Sequence, residues 1–250
     1  MIMNYNPFTL ENKTILITGA SSGIGRSTAI ECAKLGAHVV VTGRNAERLQ
    51  ETYNQLEGNG HQQIVADLTT PEGLEKLALE SPGLDGLVNN AGITITKPIP
   101  FIKENDLQNV FDINTFAPVM LTKWLIKKKK INKGASIVIT SSVASMTYAP
   151  GNAVYGMTKS AIASFAKYCA LEMFEKNVRV NSVHPGMVNT EMTRNLSFST
   201  EEIAADRDKY FGKRYAEPQE IAWAIIYLLS DASSWITGSQ LVIDGGIHLK

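Results

Sequence analysis

"TILITGASSGIGRSTA", residues 14–29, decides the fold. The aliphatic and β-branched run over 14–18 reads as a buried strand of the kind parallel sheets use. Three glycines follow, Gly19, Gly23 and Gly25, and then residues compatible with a helix. Glycine permits a tight turn and lets the backbone approach a pyrophosphate, whose charge then meets a helix N-terminus. A glycine triplet also suits a plain turn. The flanking strand and helix favour a dinucleotide-binding unit.

Working outward, short β-branched runs alternate with longer helical patterns. Strands are predicted over 38–42, 62–66, 86–89, 136–140, 179–184 and 240–243. Leu49, Tyr53 and Leu56 share one helical face and predict a helix over 45–56. Longer helical segments cover 106–130 and 152–176, and Pro218 opens another over 218–229. This alternation predicts a Rossmann-type, doubly wound parallel sheet of about seven strands, with helices on both faces. One domain spans 1–250. The stretch 186–217 is too long for an ordinary loop. It carries Met192, Leu196, Phe198, Ile203, Tyr210 and Phe211, too many apolar groups for a linker, and reads as a partly helical substrate flap.

Lysine plus arginine and aspartate plus glutamate both number 24, so there is no basic excess for a nucleic-acid partner. No run is long and apolar enough for a membrane span, and residues 1–13 lack the pattern of a signal peptide. The cysteines, Cys32 and Cys169, fall in helical segments and read as reduced packing residues of a cytoplasmic protein. No Cys/His cluster has metal-ligand spacing, so no metal is expected.

The second strand ends in "VVVTGRN", residues 39–45. A carboxylate near this point would hold an adenosine ribose and repel a 2′-phosphate. Gly43 removes that repulsion, and Arg44 supplies a planar, permanent cation suited to phosphate. The stretch therefore predicts NADP(H) rather than NAD. A plain surface arginine in a turn is the alternative.

"SSVASMTYAPGNAVYGMTKSA", residues 141–161, holds the expected chemistry. Tyr155 and Lys159 are four apart and share a helix face. A lysine cation beside the phenol is expected to lower its ionisation constant and make it a proton donor tuned to neutral pH. Upstream, Pro118 has no N–H to bond the carbonyl of Asn114, so a kink is expected there that frees this carbonyl for a water.

TGASSGIG (18–25), NNAG (89–92), Ser142 thirteen residues before Tyr155, and Y-x-x-x-K (155–159) together resemble the short-chain dehydrogenase/reductase family. The likeness runs from Lys13 to Gly246 and is nearest the 3-oxoacyl-[acyl-carrier-protein] reductases. It implies that Ser142, rather than Ser141, polarises the substrate carbonyl. Tyr155 would donate the proton, Lys159 would tune Tyr155 and hold the nicotinamide ribose, and Asn114 would support a proton relay. It assigns Gly19, Ser21, Ser22, Gly23, Ile24 and Gly25 to the cofactor, with Asp67 and Leu68 at the adenine. Asn90 and Gly92 would meet the cofactor at the fourth strand. Pro185 and Gly186, then Val188 and Thr190, would lie near the nicotinamide carboxamide. His184 reads as structural, and Ser145 and Tyr148 as lining the pocket or its loop.

The same likeness implies an NADPH-dependent reduction of 3-oxoacyl thioesters in fatty acid biosynthesis, and a homotetramer. Five lysines fall within 127–133. They read either as a solvated helix end or as part of a docking patch for an acidic acyl carrier protein, with Lys133 and Lys176 at the matching positions. Carrier reductases often have a basic residue where this chain has Ser22. Arg26 either compensates or faces solvent. A related enzyme for a sugar, steroid or other small alcohol, and a non-catalytic NADP-binding sensor, are the alternatives.

Overall fold

The computed structural model describes residues 5–195 and 199–250. Leu196 and Phe198 of the expected flap lie outside the described residues. Seven parallel strands form one sheet: β1 (Thr14–Thr18), β2 (His38–Gly43), β3 (Gln62–Val65), β4 (Leu84–Asn89), β5 (Ile131–Thr140), β6 (Arg179–Pro185) and β7 (Gln240–Ile243). Their spatial order is β3-β2-β1-β4-β5-β6-β7. The order reverses between β1 and β4, which opens a crevice at the carboxyl ends of the strands.

Helices cover both faces because alternate strand residues are apolar on both sides. On one face Leu16, Leu87 and Ile137 pack among Leu77, Leu121, Leu125 and Ile162. On the other Ile15, Ile17 and Val88 pack among Ala29, Cys32, Ile221 and Ile225. The first layer belongs to α3 (Pro71–Glu80), α5 (Ala117–Lys127) and α6 (Ala153–Glu172). The second belongs to α1 (Gly23–Lys34) and α9 (Pro218–Leu229). The short α2 (Ala46–Tyr53) follows β2, and Asn45 caps it by accepting from Arg48 N at 2.9 Å. Cys32 and Cys169 are free and buried.

Two segments depart from the sequence reading, and a third takes one of its two alternatives. The segment 106–130 is not one helix: α4 (Glu104–Phe111) runs through a π-helical turn at Asp112–Phe116 into α5. A π turn is one of the forms a helix kink takes, and here it stands directly before Pro118. Strand β5 starts at Ile131, five residues before the expected 136, and pairs Ile131 with Leu84. The exposed Asn132, Lys133 and Gly134 concealed it. The lysine run closes helices: Lys127 lies in the last turn of α5, and Lys130 Nζ donates to Leu79 O at 3.2 Å and Ser81 O at 2.6 Å at the end of α3.

The flap is partly helical, with α7 (Glu191–Arg194) and α8 (Thr200–Arg207). Tyr210 and Tyr215 turn inward and meet edge to face at 5.5 Å, whereas Phe211 is exposed.

Candidate active site

The phosphate loop is built by close approach. Gly19 has φ +66°, and a Cβ there would stand 2.9 Å from Ala91 Cα. A Cβ on Gly25 would stand 2.3 Å from Gly19 O. These contacts seat the start of α1 against the ends of β1 and β4. Thr18 Oγ1 stitches them together by accepting from Asn90 N at 2.9 Å and Ala91 N at 3.0 Å. Asn90 Nδ2 donates to Thr18 O at 3.2 Å. The first turn of α1 has no side-chain cap and no acidic residue. Its free N–H groups, with Ser21, Ser22, Gly23 and Ile24 on the cavity wall, fit a pyrophosphate.

At the outer end of the same cavity lie Gly43 and Arg44. Arg44 is exposed and has no ion-pair partner among the described residues. A Cβ on Gly43 would meet Ser21 Oγ at 3.4 Å. Leu68 lines the cavity, but Asp67 does not. Asp67 Oδ1 accepts from Thr69 N at 2.9 Å and Thr69 Oγ1 at 2.7 Å. Arg26 neither reaches the phosphate loop's cavity wall nor points freely to solvent. It donates to Ser21 O at 2.7 Å, Thr52 Oγ1 at 3.0 Å and Glu51 at 3.0 Å, fastening α1 to α2.

The other wall carries Ser142, Tyr155 and Lys159. The two serines separate cleanly. Ser141 Oγ is buried and donates to Lys159 O at 2.8 Å. Ser142 lines the cavity, and its Oγ accepts from Ala144 N at 3.2 Å and lies 3.4 Å from Pro185 O. Behind them, the fully buried His184 approaches Ser145 Oγ at 3.0 Å, Ser142 O at 3.2 Å and Ser182 Oγ at 2.9 Å. Burial holds its pKa down, so it stays a neutral hydrogen-bonding brace. Ser145 serves this brace and is absent from the cavity wall, while Tyr148 lines it.

Asn114 sits beneath the cavity on the π turn, not on its wall. Its side chain accepts from Ile93 N at 2.8 Å and donates to Ile93 O at 2.9 Å and Thr158 Oγ1 at 3.1 Å. The side-chain amide is committed to these bonds. Gly92 packs above it: a Cβ there would stand 3.2 Å from Asn114 Oδ1 and 3.5 Å from Lys159 Nζ.

The electrostatics of the Tyr155/Lys159 pair differ from the sequence expectation. Burial raises the Tyr155 phenol above its usual value, and only the Ser142 hydroxyl opposes this. Lys159 does not lower it. The Lys159 Nζ donates to Thr140 O at 2.9 Å and lies 5.5 Å from the Tyr155 ring centre. Burial brings the lysine itself down to about 8. Sequence spacing gave the shared face but not the depth at which both groups are buried. A phenol held neutral is an acid, which suits delivery of a proton.

Val188 and Thr190 open the flap. A Cβ on Gly23 would meet Thr190 Cγ2 at 3.2 Å, so the flap begins against the phosphate loop. The whole cavity measures about 980 Å³. Its far wall includes Lys209, Tyr210, Ile247, His248 and Lys250. The sequence reading had Tyr210 in the flap but missed Ile247, His248 and Lys250, because "GIHLK" at 246–250 carries no motif and reaches the cavity only through the register of β7 against β6. Among the described residues no group of His, Cys, Asp or Glu is placed to hold a metal ion. No described helix is long and apolar enough to cross a membrane.

Nucleotide crevice, glycine loop and Ser/Tyr/Lys wall on one sheet edge define a dinucleotide-dependent oxidoreductase. Residues 19–248 match the family model described as enoyl-(acyl carrier protein) reductase. The chain is 36% identical over 238 residues to 3-oxoacyl-[acyl-carrier-protein] reductase FabG of Rickettsia bellii, covering 95% of this chain and 98% of that one. It is 32% identical over 244 residues to cyclopentanol dehydrogenase of Comamonas testosteroni, covering 95% and 97%. Among solved structures, a dehydrogenase/reductase from Sinorhizobium meliloti 1021 superimposes with a TM-score of 0.90 at 32% identity, covering 96% and 97%. The chain belongs to the short-chain dehydrogenase/reductase family and is an oxidoreductase acting on alcohol and ketone groups.

Proposed function

We propose that this protein is an NADPH-dependent carbonyl reductase that reduces 3-oxoacyl thioesters to 3-hydroxyacyl thioesters. The observation that carries the reading is the wall of Ser142, Tyr155 and Lys159, which shares one cavity with the glycine loop and Arg44. The cofactor, when bound, supplies the hydride. Ser142 Oγ holds the substrate carbonyl oxygen, and Tyr155 gives that oxygen its proton. Lys159 holds the nicotinamide ribose and leads to the Asn114 carbonyl for proton resupply. Arg44, with Ser21 and Ser22, receives the 2′-phosphate, while Leu68 borders the adenine and Asp67, bonded to Thr69, shapes the turn behind it. Asn90 and Gly92 support the cofactor from the β4 side, and Val188 and Thr190 hold the carboxamide.

The likeness to FabG supports the thioester, and a cavity of about 980 Å³ has room for cofactor and acyl chain together. The similar likeness to cyclopentanol dehydrogenase favours one competing reading, a small alcohol or ketone as substrate. A non-catalytic sensor would have no need of the whole Asn/Ser/Tyr/Lys set. Carrier docking at Lys133 and Lys176 has a geometric restriction. Both are exposed, but Lys133 lies in the amino-terminal half of β5 and Lys176 just before β6, ahead of the first β5–β6 pair, Ser136 with Arg179. A carrier held there faces the sheet edge opposite its own chain's Tyr155. For the homotetramer, α6 offers support: Met157, Ala161, Tyr168 and Leu171 make an outward stripe, and Tyr168 and Leu171 are 67% and 76% exposed. Rates on an acetoacetyl thioester against a panel of free ketones test the substrate. A preference for the thioester is expected, and turnover of ketones alone would sink it.

A further inference from the structure

Asp244 and His248 form a hydrogen-bonded pair on the substrate side of the cavity that the reaction described above does not use. Asp244 follows directly after β7, whose Ile243 pairs with Pro185 of β6. Gly186 packs against it: a Cβ there would stand 3.0 Å from Asp244 Cα. Pro185 is the residue whose carbonyl lies 3.4 Å from Ser142 Oγ. The pair therefore stands on the same sheet edge as the reacting groups, one strand across.

The carboxylate is nearly buried and rigidly held. Asp244 Oδ1 accepts from Gly246 N at 2.9 Å, and Oδ2 accepts from His248 N at 2.9 Å. These two contacts leave Oδ2 facing the His248 ring, whose Nδ1 lies 2.6 Å away. A carboxylate only accepts, so Nδ1 carries the proton and the tautomer is set. Nε2 is then the functional nitrogen, and it has no partner among the described residues. The ring itself lines the cavity with its side chain 31% exposed. Two further bonds immobilise this segment on the flap: Phe211 N donates to Gly245 O at 2.9 Å, and Lys250 Nζ donates to Lys209 O at 2.6 Å.

A local reading exists, since Asp244 also accepts from the N–H groups of Gly246 and His248 in the turn that follows it. The turn accounts for the two backbone bonds. It does not account for an imidazole oriented at 2.6 Å and turned to the cavity. The geometry points to His248 as a substrate-binding residue, oriented by Asp244, that holds a second hydrogen-bonding group on the substrate beyond the reacting carbonyl. A neutral ring accepts at Nε2 from a hydroxyl or amide, and a protonated one donates to a carbonyl or carboxylate. Thioesters, oxo-amides and polyols carry such a group, whereas a cyclic hydrocarbon ketone does not.

This rests on the carbonyl-reductase reading, and the test separates the two. S-acetoacetyl-N-acetylcysteamine and cyclopentanone are compared with NADPH on the wild type, His248→Ala and His248→Gln. In His248→Ala the preference for the thioester, as a ratio of kcat/KM, is expected to fall about tenfold, with the loss in KM rather than kcat. His248→Gln, which keeps a donor and an acceptor, is expected to recover most of it. An unaltered ratio, or a loss in kcat shared by both substrates, overturns the assignment while leaving the reductase intact. If the wild type reduces neither ketone, the reductase reading fails. Titration of 3-hydroxybutyryl-N-acetylcysteamine against cyclopentanol then decides on His248: preferential, His248-dependent binding of the thioester supports it, and equal binding to wild type and His248→Ala overturns it.

Discussion

Arg48 and Glu191, 143 positions apart in the chain, form an ion pair at 2.5 Å. It ties α2, beside the expected adenosine end of the crevice, to α7 at the start of the flap. Glu191 lines the cavity, and its neighbour Thr190 stands over Gly23. The Arg48 guanidinium holds the Glu191 carboxyl below its usual range. Both side chains are partly exposed, so the pair stabilises the fold little and serves chiefly to hold α7 against α2. Glu191→Ala is expected to weaken NADPH binding roughly threefold, and high salt to do the same to the wild type. A fluorescence titration checks both; an affinity indifferent to salt and to the substitution would mean that the flap is held elsewhere.

The two adjacent serines are expected to behave differently. Ser142→Ala should lower kcat by about 10²–10³, the cost of removing one donor from a developing oxyanion. Ser141→Ala should keep most turnover and lose about 1 kcal/mol of stability with its bond to Lys159 O. Steady-state kinetics and thermal melts on both variants distinguish them, and the reverse pattern would exchange their roles.

Lys159 is costly to the fold. Its buried ammonium is brought from 10.5 to about 8. Between those values the unfolded chain holds a proton that the folded chain has lost, so stability rises as pH rises through this window. Below about 8 both states are protonated and the full cost of the buried cation is present. Lys159→Met should therefore stabilise the ligand-free protein at pH 7 by about 1–3 kcal/mol, flatten the slope above pH 8, and abolish turnover. Urea unfolding at pH 7 and pH 10 measures this. A variant less stable at pH 7 would show that the bond to Thr140 O outweighs the burial of charge.

Arg44→Ala should raise KM for NADPH by about 10–100-fold and change KM for NADH far less. Comparing both cofactors on wild type and variant is enough. An unchanged preference would remove Arg44 as the selector.

Much of the fold was legible because its signals are local. The strand, glycine turn and helix at 14–29 are fixed by contacts within that unit and with Ala91. The apolar strands announce themselves because both of their faces are buried. What escaped depends on distant partners. The start of β5 is polar and becomes a strand only by pairing with Leu84. The role of Arg26 stayed open because its acceptors lie on α2, 22 to 26 positions away, and at Ser21 in the loop before α1. The Tyr155/Lys159 face was visible, but the direction of the phenol's shift was not, since burial is a property of the packed site. Likewise nothing in "DGGIHLK" places His248 on the same cavity as Ser142; the β6–β7 register brings this segment to that sheet edge.

The most direct measurement is NADPH oxidation with an acetoacetyl thioester by wild type and Tyr155→Phe, alongside cofactor binding by each. The phenylalanine ring fills the same space without the hydroxyl. Turnover is expected to fall by about 10²–10⁴-fold while NADPH affinity stays within about twofold. A Tyr155→Phe protein that reduces the thioester at close to the wild-type rate would contradict Tyr155 as the proton donor, and with it the proposed chemistry.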